Sequence, residues 1–365
     1  MEKAYYNGLL YTGEAVLPGK AVLVRNGLIT GIVDEANIPS GYARHNLQGM
    51  NLAPSFIDLQ LYGGNGLLFS QALSVASLYA THAYCKAGGA AHFMITMATN
   101  AMEVFERGIE VVQDYWQEGG QGLLGLHLEG PYINPVKRGA HLERYIKKPT
   151  LPEVEHLLEK GKDVIRMMTL APECCDAAII GLLQQHNILV SAGHTNATYQ
   201  QGMQSFNGGI PAATHLFNAM SAFQSREPGM VGAVYDHTGV VSSVVCDGVH
   251  VDFAAVRISK KILKERLFFI TDAVTPTAEG PYQHVFRGDR YTLPDGTLSG
   301  SALTMMQCVK NGVEQAGIEL DEALRMASLY PARLLPVGSK LGRIEKDYPA
   351  SFVVFNEALN LVELL

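Results

Sequence analysis

The chain has 365 residues, 47% of them hydrophobic and 17% charged, with 28 Lys and Arg against 35 Asp and Glu for a net charge of −7. This is too apolar for intrinsic disorder, and its acidic balance argues against a nucleic-acid binder, which draws affinity from a basic surface. No apolar run approaches the roughly 18 residues of a membrane span. At about 150 residues per domain, the length points to two domains, one of them large.

The N-terminal MEKAYYNGLL lacks the basic and apolar regions of a signal peptide. Five cysteines without a CxxC pair (Cys85, Cys174, Cys175, Cys246, Cys308) make neither a disulfide framework nor a zinc knuckle, and read as reduced thiols in a cytoplasmic protein. AVLVRNGLITGIV (21–33) is two β-branched runs around Asn26-Gly27, a hairpin turn dipeptide. Eight strand-like runs follow: 54–62, 90–99, 122–130, 163–172, 187–194, 212–218, 240–248 and 266–273. Helical patterns lie between several of them, as in LPEVEHLLEKG (151–161) with its glycine stop. The last stretch, LGRIEKDYPASFVVF (341–355), again reads as short strands.

Eight strands alternating with helices call for a parallel α/β arrangement, and eight closes a barrel. An open doubly wound sheet would carry GxGxxG after its first strand, and the YGGNG at 62–66 lacks that spacing. The expected fold is a TIM-like (β/α)8 barrel over 54–336, with a small β domain from both termini, 1–53 plus 337–365.

Polar residues end the apolar runs, and a barrel builds its active site at the C-terminal ends of its strands. His127 and Glu129 share a face by period two. Later runs end in His194, in Thr214-His215, in Asp247 with His250, and in Thr271-Asp272. Two imidazoles and a carboxylate from separate strands suit a divalent ion such as zinc, leaving a position for water whose pKa the ion lowers toward about 7. Glu129, His194 and His215 fit that count, and Asp272 is placed to accept and return a proton. The set describes metal-assisted hydrolysis. His82, His92, His156, His186 and His237 read as structural or surface residues, and His45 and His284 carry no context. Asp58 is either functional or a brace for its loop.

HLEGP (127–131), SAGHTNAT (191–198), THLFNAM (214–220), REPG (226–229), DGVH (247–250), TDA (271–273) and GTLSGSALTM (296–305) together resemble the N-acetylglucosamine-6-phosphate deacetylase family of the amidohydrolase superfamily. PSFIDLQLYGG (54–64) resembles the start of that family's barrel. The resemblance implies a deformed (β/α)8 barrel with a small β-sandwich, and hydrolysis of the acetamide of N-acetylglucosamine 6-phosphate to glucosamine 6-phosphate and acetate. By the same resemblance Glu129, His194 and His215 match the metal ligands, Asp272 the catalytic acid and base, and His141 a histidine near the acetyl carbonyl. Asn218 and Ala219 match sugar-phosphate contacts, and Arg226 and His250 match groups on the phosphate or nearby sugar oxygens. Ala140 and the turn Leu298, Ser299, Gly300 match the substrate lining. The metal expected is Zn2+, with Fe2+, Co2+ and Mn2+ also accepted by such ligands. The family is generally dimeric, and an arginine on a loop like REPG reaches toward a neighbouring subunit's cleft.

Two departures stand out. Many amidohydrolases open the first strand with His-x-His, which supports a second metal; here the positions hold Gln60 and Tyr62, poor ligands for a divalent ion, so one metal is expected. IEKDYPASFVVF (344–355) lacks the usual Gly-x-x-Ala-Asp turn. Competing readings are a deacetylase on a related amino sugar, a cyclic amidase, and a barrel that has lost catalysis and serves as a binding subunit.

Overall fold

A computed structural model describes residues 2–365. Eight parallel strands in sequence order form the central sheet: β1 (Phe56–Leu61), β2 (Ala90–Ala98), β3 (Leu123–Glu129), β4 (Ile165–Leu170), β5 (Leu189–Ala192), β6 (Ala212–Ala213), β7 (Val241–Val245) and β8 (Leu267–Ile270). Each falls within the corresponding apolar run. β6 is far shorter than its run because His215, Phe217 and Ala219 all have positive φ, which cannot continue an extended ladder. Past their last paired residues, β1 and β8 meet: the Asp272 amide donates to the Gln60 carbonyl at 2.9 Å and the Tyr62 amide to the Ala273 carbonyl at 2.9 Å. These bonds close the barrel at the end where the polar residues gather.

Helices on the outside present apolar stripes to the sheet. Met102–Gln117 buries Phe105, Ile109, Val112 and Tyr115, and Leu151–Lys160 buries Val154, Leu157 and Leu158 before stopping at Gly161. Inside the barrel a polar layer lies beneath the strand ends. His127 sits between the Thr96 hydroxyl (3.2 Å) and the Thr169 hydroxyl (2.8 Å), and Thr169, Thr214 and Ser191 continue the chain at 2.7 Å per step. Burial holds the His127 pKa down to about 4, so this histidine is a neutral, hydrogen-bonded core residue.

The terminal strands form two sheets. One runs Leu28–Asp34, Lys20–Arg25, Glu2–Tyr6, Ala43–Asn46; its Asn26-Gly27 turn has positive φ at both residues, as a tight hairpin requires. The other runs Leu361–Leu364, Phe352–Phe355, Asn51–Pro54, Leu9–Tyr11, Val16–Leu17, so the C-terminal strands pair with those of the N-terminus. Tyr5, Val22, Val24 and Ile29 from the first pack against Leu10, Leu52, Phe352 and Val354 from the second. The unusual 344–355 segment therefore still supplies a full strand, because its FVVF run matches Asn51–Pro54 residue for residue.

Candidate active site

The strand ends open into a cavity lined by Glu129, His194, His215, Asp272, His141 and Ala140, with Asn218, Ala219, His250 and the Leu298–Gly300 turn above them. Arg226 is the exception among the residues matched by the family resemblance. It is exposed on the loop after β6, outside the cavity of its own chain, and forms no ion pair among the described residues. Its neighbour Glu227 instead accepts from the amides of Tyr199 (2.7 Å) and Gly229 (3.1 Å).

Glu129 is the centre of the constellation. Its Oε1 lies 3.0 Å from His215 Nε2 and 3.3 Å from His194 Nε2, and those two nitrogens are 3.2 Å apart. Donor atoms held tetrahedrally at about 2.0–2.1 Å from one ion sit about 3.3 Å from each other, so the spacing is that of a first coordination shell. The His194 tautomer agrees. His194 Nδ1 is 3.0 Å from the Lys137 carbonyl and must donate to it, which leaves a bare lone pair on Nε2 facing the carboxylate. Burial holds the His194 pKa down to about 4, with His141 adding to the effect, so that lone pair stays unprotonated near neutral pH. A bare imidazole nitrogen facing a buried carboxylate, with His215 Nε2 turned to the same oxygen, calls for a cation, and the residues present fit one.

His141 approaches the same carboxylate from the other side, its Nε2 3.1 Å from Glu129 Oε2. The ligand-type atoms of Glu129, His141 and His194 lie within 4.8 Å of one another, so on distance alone His141 rivals His215. Its Nδ1, however, faces the Thr99 amide N–H at 3.3 Å and the Thr99 hydroxyl at 2.7 Å. An Nδ1 that accepts leaves Nε2 carrying the proton, which makes His141 a hydrogen-bond donor at the cavity floor.

Asp272 stands across from Glu129. Its Oδ1 accepts from Gln60 Nε2 at 2.8 Å, while no protein donor reaches its Oδ2 among the described residues. Burial raises its pKa above the ordinary aspartate value. His194, His215 and Asp272 all have positive φ, a conformation costly for such residues and one that collects at functional sites. Gly300, also at positive φ, packs where a Cβ would come within 2.4 Å of Val274 Cγ1 and 3.0 Å of the Asp272 carbonyl, so the turn beside Asp272 accepts only glycine.

Further out, Asp247 takes the His250 Nδ1 proton (2.6 Å) and the amides of Val249 and His250, which fixes the ring. Asn218 Nδ2 is buried with no protein partner. Sequence reasoning passed over several contributors. Tyr282 donates to the Thr99 carbonyl at 2.6 Å and so ties the 277–299 segment over the cavity, and His284, on that segment, lines the wall. Glu173 accepts from Thr195, Asn196 and Asn134, bracing the loop that carries His194. None of these ends an apolar strand run, so no periodic signal marks them.

A closed parallel barrel with a carboxylate, two ligand-poised imidazoles and a second aspartate at its strand ends defines a metal-dependent hydrolase. The amidohydrolase family model matches residues 51–363, and a model described as the NagA composite domain matches 4–52. N-acetylglucosamine-6-phosphate deacetylase of Haemophilus influenzae is 36% identical over 365 residues, covering 97% of this chain and 95% of that protein. N-acetylgalactosamine-6-phosphate deacetylase of Escherichia coli O157:H7 is 30% identical, with the same coverage. The crystal structure of N-acetylglucosamine-6-phosphate deacetylase from Pasteurella multocida superposes with a TM-score of 0.96 at 35% identity, covering 100% of this chain and 98% of that one. The chain belongs to the amidohydrolase family, in its N-acetylglucosamine-6-phosphate deacetylase branch.

Proposed function

We propose that this enzyme hydrolyses the acetamide of N-acetylglucosamine 6-phosphate to glucosamine 6-phosphate and acetate, in amino-sugar catabolism, with one divalent ion held by Glu129, His194 and His215. The observation that carries the reading is the pairing of that donor triad with an Asp272 whose Oδ2 is free of protein partners. When bound, the ion supplies Lewis acidity toward the acetyl carbonyl and a water. Zn2+ is the first choice for two imidazoles and a carboxylate, with Fe2+, Co2+ and Mn2+ compatible.

An amide is a poor electrophile with a poor leaving group, so the protein must steady a developing oxyanion and protonate the amine. The buried His141 Nε2–H, which lies 3.1 Å from Glu129 Oε2, is assigned to the first need. Asp272 serves the second: its Oδ2 takes the proton released as water attacks and hands it to the nitrogen as the C–N bond breaks. Asn218, with its unpartnered amide donor, and His250, held by Asp247, are the polar contacts for the sugar phosphate, while Ala140, Ala219 and Leu298–Gly300 shape the wall.

Gln60 and Tyr62 stand where a second pair of imidazoles would be needed for two ions, which supports a one-ion site. A phosphate dianion in a net-acidic protein needs a cationic fork. Arg226, exposed on its loop, is assigned to the phosphate in a partner subunit's cleft, with the enzyme working as a cytoplasmic homodimer. No helix among the described residues is long and apolar enough to cross a membrane. Residues 1–53 with 337–365 are assigned to the small sheet domain and 54–336 to the barrel. The test is acetate release by the ion-loaded protein from the 6-phosphates of N-acetylglucosamine and N-acetylgalactosamine. Turnover of the first with the higher kcat/KM is expected; a preference for the second would move the substrate to the galactosamine series.

A further inference from the structure

Glu129 and Asp272 are two buried carboxylates that line the same cavity. Like charges in a site of low dielectric repel strongly, and the protein answers with two neutral donors from the end of β1. Gln60 Nε2 carries two protons and lies 2.9 Å from Glu129 Oε1 and 2.8 Å from Asp272 Oδ1. The Tyr62 hydroxyl donates to Glu129 Oε2, lies 3.0 Å from Gln60 Nε2 and 3.3 Å from Asp272 Oδ1.

The consequence is a division of oxygens. Glu129 Oε1 faces His194, His215 and the Gln60 amide, while its Oε2 accepts from Tyr62 with His141 Nε2 3.1 Å away. Asp272 has Oδ1 engaged by Gln60 and touched by Tyr62, and only Oδ2 faces the cavity without a protein partner. The phenol also braces Gln60 itself. A hydrogen bond to an ionised acceptor is among the stronger ones a protein makes, so loss of the hydroxyl frees Glu129 Oε2 and leaves the Gln60 amide, which holds Asp272, without its brace.

We propose that Tyr62 is a positioning residue for the reaction, whose hydroxyl, anchored on Glu129 Oε2, braces the Gln60 amide that holds Asp272 Oδ1, so that Asp272 Oδ2 is left for proton transfer. This goes beyond the one-ion expectation, which needs only that Gln60 and Tyr62 be poor ligands, and it rests on the deacetylase reading above.

Tyr62→Phe keeps the ring that lines the cavity and removes only the hydroxyl. Wild type and Y62F are purified side by side with their ion and compared by ion content, thermal midpoint, and kcat and KM for acetate release from N-acetylglucosamine 6-phosphate. The expected result is unchanged ion content near one per chain, a midpoint within a few degrees, a kcat lowered about tenfold or more, and a KM within about threefold. Loss of the ion from Y62F overturns the proposal, because Tyr62 then serves the ion site rather than Asp272. So does a raised KM at constant kcat, which makes the residue a wall, or a kcat within twofold of wild type. A failure of the deacetylase reading shows itself separately, as a wild type that holds its ion and releases no acetate.

Discussion

The carboxylate of Asp58 on β1 is bonded to Thr271 at the end of β8, accepting from its amide at 3.2 Å and its hydroxyl at 2.5 Å. The bond pair spans the seam where the barrel closes, one step beneath the Asp272–Gln60 contact, so Asp58 is a brace for the site rather than part of its chemistry. Burial pushes its pKa up to about 7, against the bonds from Thr271, which pull it down. The folded state therefore binds a proton that the unfolded chain releases near pH 4, and stability falls as pH rises between about 4 and 7. At about 1.4 kcal/mol per pH unit the penalty approaches ~4 kcal/mol above that window. Asp58→Asn keeps a side chain of the same shape without the titration. In urea unfolding at pH 5, 6, 7 and 8, the stability of Asn minus that of Asp should grow through pH 7 and then level; parallel curves would refute it.

The two possible ligand triads share Glu129 and His194 and differ in the third member. The His141 tautomer, with Nδ1 accepting from Thr99, argues against His141 as the ligand, which leaves His215 as the proposed third member and His141 as the proposed donor to substrate. Elemental analysis of purified His215→Ala should therefore find most of the ion gone. His141→Ala should retain its ion and lose about 10²-fold or more in kcat. The opposite pattern of ion content would make His141 the ligand.

The proposed mechanism routes both proton transfers through Asp272 and leaves the ion to other residues. Asp272→Asn is expected to keep near-normal ion content while kcat falls about 10³-fold or more. Ion loss in this variant would make Asp272 primarily a ligand.

Arg226 lies outside the cavity of its own chain, so its assignment depends on a second subunit. Arg226→Ala should raise KM for the phosphorylated sugar at least tenfold and leave that for unphosphorylated N-acetylglucosamine little changed, and the protein should sediment as a dimer. Equal loss on both sugars would remove the phosphate assignment, and a monomeric wild type would remove the route by which Arg226 reaches a cleft.

Much of the molecule was legible in the sequence because parallel strands buried on both faces are written as apolar runs. The residue that ends such a run necessarily sits at the rim of the barrel. Glu129, His194, His215 and Asp272 could be read for that reason. The same rule gave a run over 212–218 without revealing that the strand stops at Ala213, since φ values at His215 and Phe217 leave no trace in hydropathy. His127 shares a face with Glu129 as its spacing implies, yet it belongs to the hydroxyl-lined interior. His284 and Tyr282 come from an irregular segment with no period to announce it. Gln60 and Tyr62 were visible as poor ligands, while their part as shared donors to two carboxylates depends on β1 and β8 meeting at the seam, a contact across more than two hundred residues of chain.

A one-ion site makes turnover depend on that ion. Protein stripped with a chelator should release no acetate from N-acetylglucosamine 6-phosphate, and stepwise return of Zn2+ should restore turnover in proportion to ion bound, reaching its maximum at one per chain. Full activity in the stripped protein, or a plateau only at two ions per chain, would contradict it.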